Sequence, residues 1–243
     1  VIAYTLETDG LYYSKDNNKI PNDLLKECKN TFGQMIEDRS LHLINNDNFT
    51  FLKQPLLQEA FAKVVLLEQV LELPFMFFEG REFFLGTVNL RRSKETPARE
   101  TTTTLYHRDQ NLGGLEGTRG NFLKVFVYLT DVTENTGPFT YIVGSNKDFK
   151  EESGKYRLSD TEALDLYGMR NEIRCVAPAG TILSADTTGL HKGTKVKSGY
   201  RDMFTINFCT KQEKNSNLFQ VRKSFLDQIE DHKKSLFRYY TEI

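Results

Sequence analysis

Apolar residues in the first third of the chain recur at three- and four-residue intervals. Leu24, Leu25, Cys28, Phe32 and Met35 share one side of a helix predicted from about Asp23 to Asp38, with Asn22 as its cap. A second helix is predicted to start near Pro55. Its stripe of Leu56, Leu57, Ala60, Phe61, Val64, Leu67, Val70 and Leu71 is wide enough to be mostly buried, and Pro74 is expected to end it. Residues 1–74 therefore read as a mostly helical part.

The period changes at Phe75. From there to Cys209 the chain reads as short strands separated by turn residues: Glu82–Leu90, Thr101–Tyr106, Phe122–Val132, Pro138–Val143, Ile173–Val176, Thr181–Ser184 and Asp202–Phe208. Arg91–Glu100 is charged and contains Pro97, so it reads as a loop. Phe122–Val132 carries Leu123, Val125, Val127 and Leu129 on one face and Phe126 and Tyr128 on the other, so both faces should be covered. Lys124 interrupts that apolar run. No helix of crossover length separates the strands, which favours an antiparallel sandwich or jelly roll. The polar stretch Asp148–Arg170 has helical character around Asp160–Tyr167. After the charged linker Lys211–Asn217, Phe219, Val221, Phe225, Ile229 and Leu236 predict a C-terminal helix over 218–241 that packs back on the sheet. The expectation is a single domain, 1–243. It is mainly β with flanking helices, and its jelly-roll core spans 75–210.

Composition narrows the function classes. With 39% hydrophobic and 27% charged residues, 243 residues suffice for a substantial core. Lys and Arg number 32 against 33 Asp and Glu, a balance that argues against a nucleic-acid partner. No apolar run approaches the ~18 residues of a membrane span. The opening residues lack the layout of a secretory signal, and the absence of an initial Met is expected to reflect trimming or an artificial boundary. Cys28, Cys175 and Cys209 show no metal-ligand or CxxC spacing, so a reducing, cytoplasmic setting is expected.

Candidate chemistry centres on the histidines. His42 and His232 lie in predicted helical regions and read as structural or exposed. His107 and Asp109 are two apart on a strand, so their side chains share a face and can hold one metal ion; alone, they equally describe a surface histidine beside a solvated aspartate. His191 follows a later strand, in a Gly-containing turn that a β sandwich can return beside the first pair. Two histidines and one carboxylate form the facial triad of non-haem Fe(II) oxygenases, which leaves positions open for a bidentate cosubstrate and O2. Arg201 opens the last strand. Its guanidinium is the group needed to fork onto the distal carboxylate of a dicarboxylic cosubstrate.

In order along the chain, four segments resemble the phytanoyl-CoA dioxygenase-like family: His107-Arg108-Asp109, Asn135 to Lys147 around Gly137-Pro138, Gly189-Leu190-His191-Lys192-Gly193, and Gly199-Tyr200-Arg201. Val143 stands where the family usually has proline, and Asn146 where it has histidine. Glu7 to Tyr13 is similar to the short strand with which members open. The resemblance implies a double-stranded β-helix of cupin-like jelly-roll type. It implies Fe(II) and 2-oxoglutarate as metal and cosubstrate, with O2 as oxidant. His107, Asp109 and His191 would be the ligands, and Arg201 would bind the C5 carboxylate of 2-oxoglutarate. Thr104, three before the first ligand histidine, would touch the cosubstrate, with Asn89 a second candidate. The implied reaction is hydroxylation, or another oxidation, of an unactivated C–H bond in a small molecule, releasing succinate and CO2. A relative that halogenates has a small residue in place of the carboxylate, so the presence of Asp109 favours hydroxylation or a related oxidation over halogenation.

The substrate is not legible. Arg91, Arg92, Lys94 and Arg99, with Arg119 and Lys124, read either as a positive entrance for an anionic substrate or as a solvated loop balanced by Glu95 and Glu100. Gln110–Asn121 reads as a flap beside the metal. Two alternatives stay open: a jelly-roll metal enzyme without 2-oxoglutarate, such as an isomerase, and a non-enzymatic ligand-binding sandwich. Oligomeric state is likewise open.

Overall fold

The computed structural model describes residues 4–13, 18–39, 43–45, 49–95, 103–148, 157–213 and 216–243. Its strands are β1 (Leu11–Tyr12), β2 (Leu43–Asn45), β3 (Phe49–Leu52), β4 (Phe84–Lys94), β5 (Phe122–Tyr128), β6 (Phe139–Ile142), β7 (Glu172–Cys175), β8 (Ile182–Ala185), β9 (His191–Gly193) and β10 (Tyr200–Cys209). Seven of them form an antiparallel sheet in the order β1-β8-β5-β10-β4-β3-β2, and β7-β6-β9 form a second, smaller one.

Side-chain alternation decides what each face of the large sheet meets. Val125, Val127, Phe204, Ile206 and Phe208 point outward and join Phe32, Phe61, Val64, Val70 and Leu73 of the helices in one apolar cluster. Phe61 and Phe204 meet at 5.3 Å between ring centroids. Inward, Phe126, Tyr128, Leu183, Ala185 and Met203 pack with Phe139, Tyr141 and Cys175 of the small sheet. This is the two-sided covering expected of β5. β10 sits between β4 and β5, so its inward residues Arg201, Met203, Thr205 and Asn207 run down the middle of the space between the sheets.

Several elements differ from expectation. Asn22 is the first residue of the helix Asn22–Glu37, whose cap position is Pro21. The second predicted helix is broken into a 3-10 turn, Pro55–Leu57, and two helices, Glu59–Val65 and Glu68–Phe77. The bend at Leu66–Leu67 lets both segments keep an apolar face on the large sheet. Pro74 lies inside the last helix, where only the carbonyl of Val70 loses a helical donor. β1, β2 and β3 fall within residues 1–74, and Leu6–Asp9 is a helical turn rather than strand.

Arg91–Lys94 continues β4 instead of forming a loop. Of the Thr-rich strand, Thr101 lies outside the described residues, while Tyr106 and His107 form only isolated bridges. The insertion is helical at Asp160–Tyr167 as expected, capped by Ser159 and Glu162 in a capping box.

The C-terminal segment is not one helix. Short turns separate Gln220–Val221, which pairs in parallel with Thr241–Glu242, from Lys223–Leu226 and Asp231–Lys234. Its buried residues include the adjacent pairs Phe225–Leu226 and Leu236–Phe237, which a single helical stripe would not present together. The segment still packs on the large sheet. Gln110–Asn121 contains a helical turn, Leu115–Thr118, pinned by Thr118 Oγ1, which donates to Gly114 O (2.9 Å) and accepts from Leu112 N (3.0 Å).

His232 is exposed, and His42 lies outside the described residues. The three cysteines are free and buried. No helix among the described residues is long and apolar enough to cross a membrane.

Phe204→Ala removes a fully buried ring from the contact between helices and sheet. It should cost about 3–5 kcal/mol in urea unfolding.

Candidate metal centre

His107 and His191 are joined backbone to backbone. Each N–H donates to the other's carbonyl at 3.0 Å. Residues paired in this way share a face, and their rings stand 4.4 Å apart between centroids at 50°. Asp109, two residues on, returns to that face, held by its N–H donating to Thr187 O at 2.8 Å. The three side chains each offer one ligand atom, and all of these lie within 4.8 Å of one another. His191 Nε2 is 3.5 Å from Asp109 Oδ2.

The protonation states suit a divalent cation. His107 Nδ1 lies 2.9 Å from Leu105 O and His191 Nδ1 lies 3.0 Å from Gly189 O, so each Nδ1 carries the proton and each Nε2 keeps its lone pair for the site. Burial pushes His191 down to about 3 and lowers His107 as well, so both are neutral at pH 7. Burial opposes ionisation of Asp109, but the Lys124 ammonium, 2.6 Å from Oδ2, outweighs it and holds the carboxyl well below the usual range. Two neutral imidazoles and one carboxylate are the donor set and charge state that a metal ion such as Fe(II) requires.

The triad opens on a cavity of about 340 Å³ between the sheets, lined also by Asn89, Arg91, Lys124, Arg201 and Asn207. Arg201 is buried. Its Nη1 donates to Gly137 O and its Nη2 to Ser93 Oγ at 3.4 Å, while its Nε is buried without a partner among the described residues. Gly137 is obligatory there. Its φ is +81°, and a Cβ would lie 2.5 Å from Thr194 O.

Arg91, read from sequence as loop, is directed inward. It lies opposite Met203, with its guanidinium 5.5 Å from the centre of the Phe49 ring. Burial, with Arg201 adding repulsion, pulls it down to about 10. Neither guanidinium has an acidic partner among the described residues, so this end of the cavity carries uncompensated positive charge. Asn89 faces the same cavity. Thr104 instead lines a separate pocket of about 40 Å³ that shares Arg91, Thr103, Gly193 and Arg201 with the main one; Thr103 is the threonine facing the main cavity.

The other basic candidates disperse. Arg92 is paired with Asp202 through two 2.7 Å hydrogen bonds. Lys94 lines the small pocket, Arg119 lines neither, and Arg99 lies outside the described residues.

Sequence reasoning missed Arg108. It points away from the triad, and its guanidinium donates to Ser145 O (2.7 Å), Thr188 O (2.6 Å) and Tyr167 Oη (2.9 Å). It thereby ties the first ligand segment to the turn that precedes His191. Arg108→Leu would leave two carbonyls without their donor and should lower stability by about 2 kcal/mol or more in chemical denaturation, with Arg108→Lys recovering part of the loss.

A family model described as phytanoyl-CoA dioxygenase (PhyH) matches residues 29–202. A search of curated proteins finds no match. Among solved structures, EctD from S. alaskensis with bound Fe aligns with a TM-score of 0.65 at 17% identity, over 84% of this chain and 74% of that one. HygX from Streptomyces hygroscopicus, with nickel and 2-oxoglutarate bound, aligns with a TM-score of 0.60 at 16% identity over 84% of each chain. SnoN, a non-haem α-ketoglutarate-dependent epimerase from nogalamycin biosynthesis, gives 0.63 at 14% identity over 84% and 77%. The shared fold is the jelly roll, one of the two architectures the strand pattern allowed and the one the family resemblance implied. Because the family model spans well over half of the sequence, the chain belongs to the phytanoyl-CoA dioxygenase (PhyH) family.

Proposed function

We propose that the protein is a non-haem Fe(II)- and 2-oxoglutarate-dependent oxygenase, with His107, Asp109 and His191 as metal ligands and Arg201 as the anchor of the cosubstrate's C5 carboxylate. The observation that carries this is the convergence of the triad and a buried, uncompensated guanidinium on one cavity. The chemistry supplied by Fe(II), 2-oxoglutarate and O2 at that position is hydroxylation of a substrate C–H bond with release of succinate and CO2.

The chain's own residues prepare the site. The carbonyls of Leu105 and Gly189 fix the imidazole tautomers. Gly137 O and Ser93 Oγ orient Arg201, while Arg91 adds a second positive charge beside it and Asn89 offers a neutral hydrogen-bonding group. Phe139, 5.7 Å from the His191 ring, and Phe126 shield the triad from one side. Thr104 is placed to act on the cosubstrate only through the small pocket behind Arg201. The cavity volume suits a small-molecule substrate. HygX has been solved with hygromycin B, and a small molecule is the substrate class we assign here. Hydroxylation is the outcome we propose; identification of the turnover product decides it against an epimerisation such as that of SnoN.

Lys124 compensates the Asp109 carboxylate, so a metal ion must compete with it. Lys124→Met should therefore bind Fe(II) more tightly, by roughly tenfold or more in anaerobic titration. Adding 2-oxoglutarate to the Fe(II)-loaded protein without O2 should produce the weak visible charge-transfer band of the chelate. His191→Ala should abolish it. Arg201→Ala should weaken 2-oxoglutarate by about a hundredfold or more, the loss of two charge-assisted hydrogen bonds. Metal binding with no band would favour an enzyme that does not use 2-oxoglutarate, and no metal binding would leave a ligand-binding sandwich.

A further inference from the structure

The cavity does not end at the triad. Along the inward face of β10, Arg201 and Asn207 lie about 20 Å apart at strand rise. Lys124, the cross-strand partner of Asn207, reaches Asp109 between the two ends. If the cosubstrate takes the Arg201 end, the Asn207 end is left for the substrate; in that respect this inference rests on the oxygenase reading.

That end is a buried polar cluster with one unmet acceptor. Glu213 is 5% exposed and Asn207 7% exposed, and both line the cavity with Thr87. The Glu213 carboxylate accepts from Thr87 N at 2.5 Å, Thr87 Oγ1 at 3.1 Å and Asn207 Nδ2 at 3.5 Å, and among the described residues it forms no ion pair. Asn207 Nδ2 donates to Thr87 Oγ1 at 2.6 Å, whereas Asn207 Oδ1 is buried and has no partner among the described residues. Buried carbonyl oxygens are nearly always paired, so an orphan on a side chain that lines a cavity marks a place for a donor from outside the chain. Of the cations facing the cavity, Arg91 and Arg201 lie at the far end, and Lys124, beside this cluster on β5, is engaged by Asp109 at 2.6 Å. Apolar lining is limited to Phe126, Phe139 and Met203, too little to bury a hydrocarbon chain. Asn207 and Glu213 also lie beyond residue 202, where the family match ends.

We propose that Thr87, Asn207 and Glu213 form the substrate subsite, and that it selects a small polar molecule presenting N–H or O–H donors, an amine or a polyol, over a carboxylate, a phosphate or an acyl chain. Asn207 Oδ1 and Glu213 accept from those donors, and Thr87 keeps both acceptors in place.

The test uses the full chain, loaded anaerobically with Fe(II) and 2-oxoglutarate until the chelate band is complete. It is then titrated calorimetrically with putrescine, glucosamine, glucose, myo-inositol, glucose 6-phosphate, adipate and octanoyl-coenzyme A. An amine or polyol should bind, and Asn207→Leu should weaken it at least tenfold. Glu213→Gln should weaken an amine at least tenfold and a polyol less than threefold, which separates the two donor classes. An unchanged chelate band in both variants shows that the fold and the cosubstrate end persist. Binding confined to the phosphate, carboxylate or acyl compounds, no binding by any amine or polyol, or affinities indifferent to both substitutions would overturn the proposal. If the chelate band itself fails to form, the oxygenase reading fails, and the same titrations on the metal-free protein still decide whether the subsite takes donors.

Discussion

The reciprocal backbone pair between His107 and His191 is the constraint on which the site depends. The two residues come from opposite ends of the jelly-roll core, and neither lies in a long ladder. His191 belongs to a three-residue strand of the small sheet, and His107 follows a segment with only isolated bridges. Two N–H···O bonds at this junction set the phase of both strands, and phase decides which face each side chain takes. A one-residue slip would turn His107 outward and bring Arg108 into the cavity. Arg108 opposes that slip, because its guanidinium is fully engaged on the other face by Ser145, Thr188 and Tyr167. The middle residue of the H-x-D motif thus holds the register that its neighbours need.

Charge placement follows from the same geometry. β4, β5 and β10 direct their inward residues into one space, so Arg91, Lys124, Arg201, Asp109 and Glu213 share a cavity rather than a surface. Inside it, each isolated charge is costly and each counter-charge is strongly felt. Lys124 and Asp109 answer one another. Among the described residues Arg91 and Arg201 do not have such a partner, and Glu213 has only neutral donors. The cavity is therefore polarised along β10, with positive charge at one end, the triad between, and hydrogen-bond acceptors at the other.

Much of this was legible in the sequence because strands in a sandwich obey a period of two. The two-sided apolar pattern of Phe122–Val132 matches the place of β5 between helices and the small sheet, and the ordered motifs named His107, Asp109, His191 and Arg201, which the fold brings to one cavity. What stayed hidden depended on phase or on tertiary context. Arg91 looked like loop because charge and a nearby proline outweighed a strand pattern that in fact continues to Lys94. Thr104 and Thr103 are adjacent in a run of threonines, and nothing local says which faces the metal side. Asn207 did leave a signal. A polar residue in an apolar strand, opposite the equally anomalous Lys124, marks a wet stripe on an otherwise dry sheet. Glu213 left none, since it lies in a charged linker whose path is set only by packing. The C-terminal helix failed because spacing of Phe219, Phe225, Ile229 and Leu236 satisfied a helical stripe, whereas the chain buries adjacent pairs through short turns instead.

The central claim is that two histidines and one aspartate from the sheet junction hold a single iron. X-ray absorption at the iron edge of the protein reconstituted anaerobically with one equivalent of Fe(II) tests it most directly. The account predicts scattering from two imidazoles with the remaining donors oxygen, falling to one imidazole in His107→Gln. A spectrum of oxygen donors alone, or one unchanged by that substitution, would contradict it.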